Sequence, residues 1–146
     1  MPTRLRKLLR LGTGEWLDLV RAQSALLRAQ RRLRTEPIGS LAIREDFSAD
    51  LATGDADRAE ALSHAVHRAA RYGLFRPYCL VRAMALRELL LVDGIRGASI
   101  RIGVRRLNGE FQAHAWIRWG VRVLGDEPRH IAQFTEVDDL GVMRTT

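Results

Sequence analysis

Cys79 is the only cysteine in the 146-residue chain, and His64, His67, His114 and His130 are its four histidines. One thiol excludes an intramolecular disulfide and any metal site built from several thiolates, and the histidines form no H-E-x-x-H arrangement, so no metal and no cofactor are expected. A lone thiol can still act as a nucleophile if its thiolate is stabilised, and the N-terminus of a helix does this with its unpaired N–H groups and dipole. Pro77 suits the first turn of a helix running through Leu80, Ala83, Leu86, Leu89 and Leu90 to a stop at Asp93-Gly94, which places Cys79 in that turn. A backbone N–H of the same turn would then be available to hold the oxyanion of a tetrahedral intermediate. Cys79, Ala83, Leu86 and Leu90 also form an apolar stripe, in which a free cysteine can serve simply as a small buried hydrophobe.

A base for the thiol is offered by His114. Alternation over Phe111 to Arg118 puts Ala113, Ala115 and Ile117 on one face of a strand and Gln112, His114 and Trp116 on the other. A two-residue turn at Trp119-Gly120 would pair Arg118 with Val121 and bring Gly125 opposite His114, with Asp126 adjacent. Strict alternation sends the Asp126 side chain to the wrong face, so contact requires a bulge or a strand end at Gly125. Asp126 alone also reads as an ordinary turn residue, and Glu127 is the alternative orienting acid. His130 is the alternative base, and Tyr78 and Gln112 are further candidate oxyanion donors.

The elements that must position these residues follow from periodicity. A helix is expected from about Glu15 to Arg34, with Trp16, Leu19, Val20, Leu26, Leu27 and Leu33 as its apolar stripe and Arg21, Arg28, Arg31, Arg32 and Arg34 as its charged face. Thr35 to Asp55 reads as a connection with one short element around Leu41 to Phe47. A second helix runs from about Asp55 to Tyr72 with Ala59, Leu62, Val66 and Ala69 on one face, Gly73 as its stop, and His64 and His67 near its polar side. After the Cys79 helix the period changes to two. Ala98, Ile100, Ile102 and Val104, then Phe111, Ala113, Ala115 and Ile117, then Val121 and Val123 are the inward positions, with Asn108-Gly109 as the first tight turn. Helices followed by an antiparallel meander define an α+β class.

Length and a 47% hydrophobic content suit one compact domain, divided here into a basic helix with its connection (1–54) and a core (55–146). Residues 1 to 34 hold nine of the 24 basic side chains against Glu15 and Asp18 alone, and therefore the whole formal charge of +7. Such an arm suits an acidic partner or surface, although a solvated helix face accounts for it equally. Trp16 is the only aromatic residue before Phe47, so nucleic acid is not the expected partner. No apolar run approaches the roughly 20 residues of a membrane span, and the chain opens on no signal peptide, so a soluble cytoplasmic protein is expected.

The order Cys79, His114, Asp126, with the thiol on a helix and the other two on successive strands, follows papain-like and transglutaminase-like logic. Within that logic the chain resembles the stand-alone leader peptidases of lasso-peptide biosynthesis. The resemblance is carried by Cys79-Leu80-Val81-Arg82-Ala83 with Leu86, Leu89 and Leu90, by Gly94-Ile95 and Ile102-Gly103-Val104, and by Phe111 and Ala113-His114-Ala115-Trp116 with Gly120 and Asp126 behind. It covers roughly Asp55 to Val137, and its most specific piece is Ala-His-Ala-Trp at this distance after Cys-Leu.

The resemblance implies a cysteine endopeptidase that removes the leader from a ribosomally made precursor before an asparagine-synthetase-like cyclase closes the macrolactam. It also implies a separate leader-binding protein of winged-helix type, since the residues before the matching region read as one helix and a loop; the basic arm is the candidate dock for that partner or for the leader. An acyltransferase passing the thioester to an amine would use the same triad. A non-enzymatic binding module on a degenerate peptidase fold would need none of it.

Overall fold

The computed structural model describes residues 9–35 and 52–136. The element expected around Leu41 to Phe47, and Leu5 and Leu8 at the start of the first apolar pattern, lie outside them.

Among the described residues, three long helices precede the sheet. Helix α1 (Thr13–Thr35) carries Glu15 in its first turn and Arg32 and Arg34 in its last, each on the end where the helix dipole favours its charge. Its buried face is narrower than the leucine pattern predicts. Ala22, Ala25, Leu26 and Ala29 are buried, whereas Trp16, Val20 and Leu27 are exposed, because the small alanines let α1 approach its neighbours closely and the large residues fall on the flanks. Helix α2 (Ala56–Tyr72) is capped by Asp55, whose carboxylate accepts from the N–H groups of Asp57 at 2.9 Å and Arg58 at 3.4 Å. The Gly73 N–H closes its other end on the Ala69 carbonyl at 2.8 Å. The expected face of Ala59, Leu62, Val66 and Ala69 is buried.

Helix α3 (Cys79–Val92) starts two residues later than Pro77 suggests: Tyr78 is the N-cap, Pro77 lies before it, and Cys79 is the first helical residue. Val81, Ala83, Met84, Ala85, Leu86, Leu89 and Leu90 are all buried, so α3 is enclosed by α1, α2 and the sheet. Its continuous apolar composition reflects burial on most sides.

The sheet is antiparallel with strand order β3-β2-β1-β4. Strands β1 (Ala98–Leu107) and β2 (Glu110–Trp119) pair along their whole length through the Asn108-Gly109 turn, whose φ values of 54° and 81° are those of a type I′ hairpin. Only the half of the hairpin near Ala98 and Trp119 lies under α3. Ala98, Ile100, Ala115 and Ile117 are buried there, and Ile102 packs against the core partly buried. The expected inward residues Phe111 and Ala113 are exposed, because the far half of the hairpin projects beyond the helical layer.

The second turn also differs from expectation. Strand β3 (Arg122–Leu124) pairs Trp119 with Arg122, Arg118 with Val123 and Ile117 with Leu124, so Gly120 and Val121 form the turn and Gly125 does not lie opposite His114. Gly120 takes φ +60°, which glycine adopts freely, and this moves the turn one residue along the chain. Val121 is consequently exposed and Leu124, not Val123, enters the core. A four-residue helix α4 (Pro128–Ile131) and a fourth strand β4 (Thr135–Glu136), paired with Gly103 and Val104 of β1, complete the described chain and were not signalled by periodicity.

Candidate active site

Cys79 is half-buried, and its place as the first residue of α3 leaves the N–H groups of Cys79, Leu80 and Val81 ahead of the first helical hydrogen bond, from Arg82 N–H to Tyr78 O at 3.1 Å. Cys79 and His114 line one cleft, together with Ser63, His67, Arg82, Trp116 and Gly125. Helix α3 lies on the β1–β2 hairpin near its buried end, and this packing brings a helix N-terminus and a mid-strand imidazole to the same opening.

His114 Nε2–H donates to Asp126 Oδ2. Strand β3 ends at Leu124, and Gly125 turns the chain at φ +79°, so the side chain after it escapes the alternation that would send it to the other face. The turn is pinned from the helical layer by a 2.8 Å hydrogen bond from the Gly125 N–H to Ser63 Oγ on α2. Asp126 Oδ1 accepts from the Glu127 N–H at 2.7 Å and from His130 Nδ1–H at 3.0 Å. Burial raises the affinity of the Asp126 carboxyl for its proton, but the hydrogen bonds from His114, Glu127 and His130 together outweigh it and hold the group below its ordinary value. With Nε2 committed to a carboxylate, Nδ1 is the His114 nitrogen left to exchange a proton in the cleft.

The imidazole is held by rings as well as by the carboxylate. Trp116 and Phe134 stack near it with centroids at 6.1 and 5.3 Å, and His130 meets it edge-on at 4.8 Å. Gly103, facing His114 across the hairpin, leaves the room that Trp116 and Phe134 occupy.

The sequence pattern assigns no role to Ser63, Phe134 or the bond from His130 to Asp126. The i, i+4 spacing of Asp126 and His130 was the one available signal for the last of these. His130 therefore stands on the carboxylate, as a second donor to it. Among the other candidates, Tyr78 is exposed, and the exposed Gln112 accepts from Arg105 Nε at 2.8 Å. Glu127 contributes its backbone N–H to Asp126. His114, Asp126 and His130 bring three donor atoms within 4.8 Å of one another, a set able to take a cation that the spacing of the histidines along the chain did not reveal.

A half-buried thiol at a helix N-terminus and an imidazole bonded to a carboxylate share a cleft in an α+β fold, the groups that thiol-based acyl transfer would require. The family model described as transglutaminase-like superfamily matches residues 17–138, and the chain belongs to that superfamily. The match reaches back into α1, well before the Asp55 at which the sequence resemblance begins. Searches of curated proteins and of solved structures find no match. Among the described residues no helix is long and apolar enough to cross a membrane.

Proposed function

We propose that this protein is a cysteine endopeptidase that removes the leader from a lasso-peptide precursor delivered by a separate leader-binding protein. The observation that carries the reading is the cleft lined by both Cys79 and His114, with His114 bonded to Asp126 behind it. The Ala-His-Ala-Trp segment after Cys-Leu supplies the leader-peptidase specificity of the proposal.

In this mechanism His114 takes the thiol proton, and the Cys79 sulfur attacks the scissile carbonyl to form an S–C bond. The resulting oxyanion lies against the free N–H groups of the α3 first turn. Collapse breaks the C–N bond as the imidazolium gives its proton to the leaving amine. A water molecule, deprotonated by the same imidazole, then opens the thioester and returns the thiol. Asp126 keeps the imidazole in the required tautomer and stabilises its charged form.

The test combines the purified protein with a lasso-peptide precursor and a leader-binding protein and follows product mass. A leader ending in a free carboxylate, formed by wild type and not by Cys79→Ala, is the expected result. Cleavage by Cys79→Ala at the wild-type rate rejects the thiol, and transfer of the leader to an added amine in place of hydrolysis identifies an acyltransferase instead.

A further inference from the structure

Next to the cleft at Cys79 is a second depression whose walls are His67, Ala70, Arg71, Arg76, Pro77 and Arg82. His67 and Arg82 line both depressions, and also an opening lined by Glu60, Asp126, Glu127 and His130, so the basic pocket shares two walls with the cleft at the thiol. Arg71, Arg76 and Arg82 line it and no carboxylate does, with the Arg71 guanidinium lying over the Tyr72 ring at 5.5 Å. Several charges elsewhere on the helices are matched: Arg21 and Arg58 with Asp93 and Asp18, Arg28 with Glu88, and Glu60 with Arg122 of β3. Arg76 and Arg82 have no acidic partner among the described residues.

The His67 proton is bound less tightly than in an ordinary histidine, first through burial and then through the charges of Arg82, Arg71 and His64. Helix α3 also has no acidic residue in its first turn, so Arg76 and Arg82 lie near the positive end of its dipole without local compensation. Like charges gathered beside a reactive group are relieved when an anion enters.

We infer that Arg71, Arg76 and Arg82 form a substrate subsite that takes an acidic side chain of the peptide, close to the bond that Cys79 attacks. The inference rests on the proposed peptidase reading for the role of the thiol, and it selects acidic peptides within that reading.

Two alkylating probes of nearly equal size test it, because the Cys79 thiolate displaces iodide from anionic iodoacetate and from neutral iodoacetamide alike. At neutral pH and low salt, the rate ratio of iodoacetate to iodoacetamide should be about tenfold higher for the folded protein than for the urea-unfolded chain, the gain expected of a focused positive field. The ratio should fall towards the unfolded value in Arg71→Gln/Arg76→Gln/Arg82→Gln and be largely retained in Arg82→Lys. An acetylated Glu-Glu amide should slow iodoacetate more than its Gln-Gln counterpart does; slowing by inorganic phosphate but not by the acidic peptide overturns the assignment to a carboxylate side chain. A ratio equal in wild type and the triple variant overturns the subsite itself. If folding does not accelerate either reagent, the nucleophile reading fails, and the subsite is judged by titrating both peptides into Cys79→Ala with NMR detection. Tighter binding of Glu-Glu, lost in the triple arginine variant, upholds the subsite there, and equal binding of the two peptides overturns it.

Discussion

Asp126 holds two imidazoles at once, and removal of each partner should therefore have a graded effect on precursor cleavage. His114→Ala removes the proposed base and should lower kcat by at least about 100-fold, the usual scale of general acid–base catalysis. Asp126→Asn leaves the base in place without its fixed tautomer, so the loss should exceed about tenfold and remain smaller than that of His114→Ala. His130→Ala leaves both His114 and the Glu127 N–H on the carboxylate and should lose less than either. Steady-state rates of the three variants, with an iodoacetamide pH profile for each, check the order; full activity in Asp126→Asn would remove this residue from the mechanism. The meeting of His114 with Asp126 was foreseeable because Gly125 can end a strand and redirect the next side chain. The attachment of His130 was not foreseeable, since it depends on α4, a helix of four residues, too short to leave a periodic pattern.

The hairpin shows why elements were easier to read than their registers. Ten-residue strands and an Asn-Gly turn gave β1 and β2 almost without ambiguity, yet burial along them depends on how far α3 reaches, which alternation does not encode. The second turn is ambiguous by one residue in the sequence because Trp119-Gly120 and Gly120-Val121 each contain the glycine, and only the core position of Leu124 decides between them. Gly103 joins this scale to the site. A Cβ there would lie 2.7 Å from Trp116 Cη2 and 2.8 Å from Phe134 Cβ, the two rings that flank His114. Gly103→Ala should therefore destabilise the fold by about 1 to 3 kcal/mol through overpacking and should lower kcat although every proposed catalytic residue is intact. Urea unfolding and cleavage rates measured together test this, and an active variant of wild-type stability would mean that the rings move aside freely.

At the scale of the whole molecule, α1 is fastened to the body by apolar contact and by charge. Arg58 on α2 donates to both oxygens of the buried Asp18 on α1 at 2.7 Å and to Asp93, after α3, at 2.9 Å, while Arg21 donates to Asp93 at 2.7 Å. Hydrogen bonds from Arg21 and then Arg58 hold the Asp93 carboxyl below its ordinary value of 3.8, against the effect of burial. A carboxyl whose folded value is depressed contributes stability that is present above its unfolded value and is lost as pH falls through the folded one. Acid unfolding should therefore draw on this cluster below about pH 4, and Arg58→Gln should flatten that part of the pH dependence while destabilising the protein by about 1 to 3 kcal/mol at pH 7, with the partial exposure of Arg58 keeping the loss below that of a fully buried pair. Urea titrations from pH 7 to pH 3 provide the measurement.

The ion cluster bears directly on the basic arm. Composition showed where the excess charge lies but not that Arg21 is spent on Asp93 and Arg28 on Glu88, contacts between residues more than 55 positions apart that no local pattern reports. The arginines at the far end of α1 lie outside that cluster: Arg31 and Arg34 are exposed, and they are the arm's candidates for a partner. If this end of α1 docks the leader-binding protein or the leader, changing Arg28, Arg31, Arg32 and Arg34 to Gln should raise the apparent KM for the delivered precursor about threefold to tenfold at low salt and leave kcat near wild type, because rim charges act mainly on encounter. The wild-type KM should itself rise as salt increases, since exposed charges are screened over about 8 to 10 Å at physiological ionic strength. A solvated helix face predicts instead that the variant follows wild type at both salt concentrations, with stability shifts of a few tenths of a kcal/mol per exposed site. Initial rates against precursor concentration, with the leader-binding protein present at two salt concentrations, separate the two accounts. Matching curves would move the search for a docking surface from α1 to the projecting half of the β1–β2 hairpin, where Leu107 and Phe111 are exposed.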